Sequence, residues 1–204
     1  MVTSLDMAAV LAAWGLIRPY IRHTPLIYSH YLSQASGADV WLKPENQQPT
    51  GSFKIRGALN KLGRFTDEEK AQGIVAASAG NHALGVAYAA QTWGGLRADI
   101  FVPATAPRAK LDKLRRYDVN LHQDGVTYDA AHQAAAVFAT QTGGIEVSAY
   151  DDVDVVAGQA TIGLEILTDL PQADVILVPV GGGGMVAGVA TVTWALNRAC
   201  RVVG

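Results

Sequence analysis

The chain has 204 residues, half of them hydrophobic and 17% charged, which excludes a disordered polymer and suffices to bury a core in one large domain or two small ones. A net charge of -2 gives no cationic footprint for nucleic acid or an anionic membrane. The one cysteine, Cys200, cannot close an internal disulfide, and no Cys/His cluster stands at metal-ligand spacing, so the expectation is a reducing, cytoplasmic location and no metal.

In chain order, "MAAVLAAWGLI" (7–17) has the apolarity of a signal-peptide core, but "MVTSLD" before it carries no cation. It reads instead as a helix capped by Thr3 and answered by Asp6. "ADVWLKPE" (38–45) predicts a strand. "PTGSFKIRGALNKLG" (49–63) predicts a turn, a cap at Ser52 and a helix with Phe53, Ala58, Leu59 and Leu62 apolar. "GIVAAS" (73–78) is a buried strand, with a helix from about Asn81 through Thr92. "ADIFVP" (98–103) and "VNLHQ" (119–123) predict strands on either side of the basic helix "PRAKLDKLRRY". Beyond them lie the helix "TYDAAHQAAAVFATQ" and the long amphipathic helix "DVDVVAGQATIGLEILTDL", with Asp151, Asp152 and Asp154 at its electropositive end. "DVILVPV" is a strand, followed by Gly181 to Gly184 and the helix "MVAGVATVTWAL". The uncharged run 175–197 is long enough to span a bilayer, but Pro179 and the glycines would break it.

Strands alternating with helices predict an α/β fold with largely parallel sheets and helices on both faces. "CRVVG" opens a further strand with no helix to cover it, so the chain reads as C-terminally truncated.

Three stretches carry chemistry. Lys54 falls in the first turn of a helix, where the dipole and burial both disfavour an ammonium ion, and a neutral amine is what attacks an aldehyde. The plain alternative is a helix lysine that snorkels to solvent. Gly181 to Gly184, between a buried strand and a helix, form a phosphate cradle. Gly182, Gly184 and Ala187 also satisfy a degenerate dinucleotide pattern, and a purely structural turn would need fewer glycines. "SAGNH" (78–82) offers clustered N–H groups, a hydroxyl and an amide able to hold a carboxylate and a phenolic oxygen, or else an ordinary helix cap. An imine-forming lysine, a phosphate cradle and a carboxylate loop are together the parts that hold pyridoxal 5'-phosphate and an amino acid.

"LKPENQQPTGSFKIRGA", "SAGNH", "FVPATAPRAKLDKLR", "VVAGQATIGLEIL" and "VPVGGGGMVAGVA" occur in the order found in the fold-type II pyridoxal-phosphate enzymes, and the chain resembles their threonine/serine dehydratase and serine racemase branch from residue 21 to the end. The resemblance implies a tryptophan synthase β-like fold in two domains, residues 1–54 with 149–204 forming the larger and 55–148 the smaller. It implies that Lys54 bears the Schiff base, with Phe53 beside the cofactor ring and Asn81 on its 3′-oxygen. Gly181, Gly182, Gly183, Gly184 and Met185 would hold the phosphate. Ser78, Ala79, Gly80, Asn81 and His82 would form the loop that receives the substrate carboxylate. Where serine racemases carry an acid/base serine, this chain has Ala79, so the implied activity is conversion of L-threonine or L-serine to a 2-oxo acid and ammonia. The alternatives are a racemase, a catalytically silent pyridoxal-phosphate binder and, on the glycine loop alone, a nucleotide-binding protein. A homodimer or homotetramer, with no nucleic acid or membrane partner, is the family expectation.

Overall fold

The computed structural model describes residues 5–204. Helix α1 (Met7–Ile17) starts at Asp6, whose carboxylate accepts the Ala9 N–H at 2.8 Å. Asp6 is therefore the cap itself, and Thr3 lies outside the described residues. Strand β1 (Ile27–Tyr28) pairs antiparallel with β2 (Trp41–Leu42) around the short helix α2 (His30–Ser36). The strand expected over 38–45 is thus only two residues long, because a 3-10 turn at Glu45–Gln47 begins directly after Pro44.

The middle of the chain builds one parallel sheet. Its strands are β3 (Ile74–Ala77), β4 (Ala98–Val102), β5 (Asn120–Gln123) and β6 (Ile145–Glu146), in spatial order β5-β4-β3-β6. Around it lie α3 (Lys54–Gly63), α4 (Asp67–Gln72), α5 (Asn81–Thr92), α6 (Arg108–Leu114) and α7 (Tyr128–Thr142). β3 is buried at all four positions, and its side chains alternate between two layers. Ile74 and Ala76 join Ile55, Leu59 and Val86 on one face, while Val75 and Ala77 join Phe101 and Ala135 of α7 on the other. Both faces are covered, as parallel sheets require.

The last third forms a second layer. Helix α8 (Val153–Asp169) packs on α9 (Gly184–Leu196), and β7 (Val175–Leu177) pairs parallel with β8 (Arg201–Val203). Val10, Ala160, Ile162, Ile176, Val189 and Val192 share this core. The amphipathic reading of α8 needs correction. Residues on nearly every side of it are buried, Asp154 and Glu165 among them, because α1, α3 and α9 surround it. Where α8 crosses α3 the backbones touch: a Cβ on Gly158 would lie 2.5 Å from the Arg56 carbonyl oxygen.

That crossing carries a buried ionic cluster. Arg56 is fully buried and donates to Glu45 (Nε to Oε2, 2.7 Å) and to Glu165 (Nη1 to Oε1, 2.8 Å). Lys43 Nζ sits 2.5 Å from Glu165, and the Thr24 hydroxyl donates to Glu45. Burial alone would raise the Glu45 pKa, but the hydrogen bond and charge of Arg56 outweigh it and hold this carboxyl below its usual value. The run 175–197 resolves into β7, a glycine turn and α9, and among the described residues no helix is long and apolar enough to cross a membrane.

Candidate active site

In parallel α/β sheets ligands bind beyond the carboxyl ends of the strands. Two of the loops that carry candidate residues leave such ends: 78–80 after β3 and 147–152 after β6. A third, the glycine run, follows β7.

Lys54 is the first residue of α3. The cap expected at Ser52 is absent: the residue preceding the helix is Phe53, in helical conformation, and Ser52 Oγ is buried with no hydrogen-bond partner. Lys54 Nζ lies half-buried, donates to the Ala149 carbonyl at 2.7 Å and sits 5.2 Å from the centre of the Phe53 ring. Among the described residues no carboxylate pairs with it, and burial lowers its pKa from the ordinary lysine value. Its backbone is clasped by α5, where a Cβ on Gly85 would come within 3.0 Å of the Lys54 carbonyl oxygen.

The loop after β3 keeps the ladder going for one more bond, Ser78 N–H to the Phe101 carbonyl. Ser78 Oγ accepts the Gly80 N–H at 3.1 Å, Ala79 packs on the core, and Asn81 opens α5 with its side chain exposed. The first N–H groups of α5 have no intrahelical partner, which leaves them free for an anion. His82 points elsewhere. Its imidazole is buried and its Nε2 donates to the Val147 carbonyl at 2.8 Å, which fixes the proton on that nitrogen. Burial pushes its pKa down to about 4, with the Lys54 charge adding to the fall and the Val147 bond opposing it. Only the backbone of His82 can serve a carboxylate.

Of the glycine run, Gly181 and Gly182 are exposed, and Gly183 precedes α9 at φ +89°, a conformation costly to any L side chain. No acidic residue occupies the first turn of α9. A Cβ on Gly182 would lie 2.2 Å from Cγ of the Tyr150 ring, and one on Gly184 would meet the Tyr150 carbonyl at 2.9 Å, whereas Gly181 and Gly183 face open space. Met185 packs on the second core.

The residues that sequence reasoning missed are Val147 to Tyr150. Val147 receives His82, Ala149 receives Lys54, and Tyr150 lies on the glycines, so one short connection touches all three candidate elements. Its sequence signal was local: Ser148 Oγ accepts the N–H groups of Tyr150 and Asp151, a serine turn just ahead of the α8 cap at Asp152.

Comparison with known proteins identifies the family. The profile described as "pyridoxal-phosphate dependent enzyme" matches residues 17–204. The chain belongs to this pyridoxal-phosphate dependent enzyme family. It is 45% identical over 200 residues to the L-threonine ammonia-lyase of Thermotoga maritima, covering 98% of this chain and 50% of that protein. It is 47% identical over 201 residues to a catabolic L-threonine dehydratase of Staphylococcus aureus, covering 98% of this chain and 58% of that protein. The chain thus spans between 50% and 58% of the length of these relatives. Among solved structures, the processed threonine deaminase isoform 2 of Solanum lycopersicum superposes with a TM-score of 0.91 at 34% identity, over 96% of this chain and 54% of that one. Maize serine racemase superposes with a TM-score of 0.92 at 32% identity, over 97% and 60%.

The residues present fit the family's cofactor. A half-buried amine without a carboxylate partner suits condensation with an aldehyde. A helix N-terminus preceded by glycines, two of them facing open space, suits a phosphate. Among the described residues, no group of three or more His, Cys, Asp or Glu side chains could hold a metal ion.

Proposed function

We propose that the full-length protein is a pyridoxal-phosphate dependent ammonia-lyase that converts L-threonine or L-serine to the 2-oxo acid and ammonia. The observation that carries this reading is Lys54: an amine without a carboxylate partner, half-buried at a helix start and shifted by desolvation toward its neutral form. Bound there, pyridoxal phosphate supplies an aldehyde for the lysine and an electron sink for the substrate α-carbon. The N–H groups of Gly181 to Gly184 and the positive end of α9, with Met185 beside them, would hold its phosphate, Phe53 would lie beside the ring, and the Asn81 amide would bond the ring oxygen. The loop Ser78 to His82 would receive the substrate carboxylate through the unpaired N–H groups at the start of α5 and the Ser78 hydroxyl, since the Ser78 and Gly80 N–H groups are already engaged. Once released, Lys54 accepts the α-proton, because its shifted pKa leaves a larger neutral fraction near pH 7 than a solvated lysine has.

Ala79 favours elimination over racemisation. Inverting Cα needs an acid on the face opposite the lysine, and a methyl group has no proton to give. The racemase neighbour superposes as well as the deaminase does, so the backbone does not discriminate between the two reactions; residue 79 and the names of the curated relatives support elimination. We also place the division between a larger and a smaller domain at residues 54/55 and 148/149. In its support, all four strands of the main sheet fall between residues 74 and 146.

Release of the 2-oxo acid from L-threonine by the full-length protein loaded with pyridoxal phosphate tests the reading. Lys54→Ala is expected to lose the visible absorbance of bound cofactor and at least about 100-fold of turnover. Turnover retained in that variant would refute it.

A further inference from the structure

Val147 to Tyr150 leave the end of β6 and reach α8 in a few residues, yet they are fixed at four points. The Val147 N–H extends the sheet by donating to the Val75 carbonyl at 2.9 Å, and the Val147 carbonyl accepts from His82 at 2.8 Å. Ser148 closes a turn on the Asp151 N–H at 3.0 Å, and the Tyr150 ring occupies the space where Gly182 has no side chain. Between these anchors lies Ala149, whose carbonyl accepts from Lys54 at 2.7 Å.

We propose that Val147–Tyr150 is a strap that aims the Lys54 amine, and that His82 is the positioning residue that fastens it. This rests on Lys54 being the attachment point proposed above. A neutral amine has two N–H bonds and one lone pair. With one N–H held by a fixed carbonyl, rotation of the group is confined and the lone pair sweeps a narrow range of directions. A free lysine stem loses rotamer entropy when ordered, and a fixed acceptor orders it before the amine is needed. The same carbonyl gives the amine one defined place to return to whenever it is released. His82 suits its role because a neutral imidazole with its proton on Nε2 gives one directional bond and adds no charge beside Lys54. The Val147 carbonyl that it serves belongs to a buried residue, so loss of the donor leaves an acceptor unsatisfied and frees the strap.

The test compares wild type, His82→Gln and His82→Leu in the full-length protein. Cofactor-free protein is mixed with pyridoxal phosphate, capture is followed by visible absorbance, and the product is trapped with borohydride and mapped by mass spectrometry. Glutamine can present an N–H to Val147; leucine cannot. The expected result is capture at Lys54 that is about 10- to 100-fold slower in His82→Leu and within a few-fold of wild type in His82→Gln. In turnover, the leucine variant should lower kcat with little change in KM. Capture at the wild-type rate by His82→Leu overturns the proposal, as does equal slowing in both variants, since a packing role alone would not be rescued by a donor. Should His82→Leu fail to fold, Tyr150→Ala releases the other end at an exposed ring, and capture there at the wild-type rate also counts against the strap. Trapping of the wild type at another lysine would refute the attachment point itself, a failure distinct from that of the strap.

Discussion

Lys54 and His82 are both displaced from ordinary solution behaviour by burial, but only one of them was legible in the chain. Lys54 announces itself because a cation in a first helical turn breaks a local electrostatic preference. For His82 the chain shows only its place in the SAGNH stretch, because its partner, Val147, is 65 residues away, beyond any local pattern. Ser52 failed the opposite way: a good capping residue type whose hydroxyl ends up buried and unpartnered, because Phe53 already adopts helical dihedrals and the helix begins without it. His82 has a consequence for acid stability. Its folded pKa of about 4 lies below the ordinary histidine value of 6.5, so between those pH values the unfolded chain binds the extra proton. The contribution is therefore complete above pH 6.5 and is lost as pH falls toward 4. A shift of that size corresponds to roughly 3 kcal/mol. Urea unfolding of wild type and His82→Gln at pH 7 and pH 4.5 should show a larger acid loss in the wild type; equal losses would mean that the imidazole is not held neutral.

Elements with a strong local period or cap were readable. The helix expected from about Asn81 through Thr92 is found over those residues, and α7 and α9 lie within a residue or so of their predicted bounds. Thr66 and Glu69 form a full capping box at α4, and Ser29 with Gly37 bracket α2; both signals stand in the sequence, on helices too short to build a periodic pattern. The two-residue strands β1 and β6 had no such signal, since their pairing partners alone define them. Helix α8 was found but its environment was not, because its apolar and small residues face three neighbours at once. The close approach of α3 and α8 depends on Gly57 and Gly158, which lie about 100 residues apart. Gly158→Ala would set a methyl group 2.5 Å from the Arg56 carbonyl oxygen, inside any allowed contact and against backbone that cannot swing away. The expected cost is about 1–3 kcal/mol in urea unfolding, and wild-type stability would show that the two helices can separate freely.

For the molecule as a whole, the ionic cluster around Arg56 does what no single element can. Glu45 comes from the 3-10 turn, Lys43 follows β2, Thr24 lies before β1, Arg56 is on α3 and Glu165 on α8, so it pins the otherwise thinly packed stretch 24–48 onto the helical core. The same guanidinium stands two residues after Lys54, which ties the start of α3, and with it the amine, to α8. Two cations face two anions, and the guanidinium forks to both carboxylates while Thr161 takes a further bond at 3.1 Å, so the charges are balanced and the donors are used. Such a cluster contributes little net stability against an apolar equivalent, but removal of one member strands the others in a medium that cannot solvate them. Arg56→Met should therefore cost about 3–5 kcal/mol, leaving Glu45 and Glu165 close together with Lys43 as their remaining cation. Arg56→Lys keeps the charge but not the fork, and should recover only part of that loss. Arg56→Met should also lose further stability as pH rises from 5 to 8, because Glu45 is buried and loses the hydrogen bond and charge that hold its carboxyl down. A flat stability profile over that range, or an Arg56→Met variant as stable as the wild type, would show that the cluster is not what holds residues 24–48 to the core.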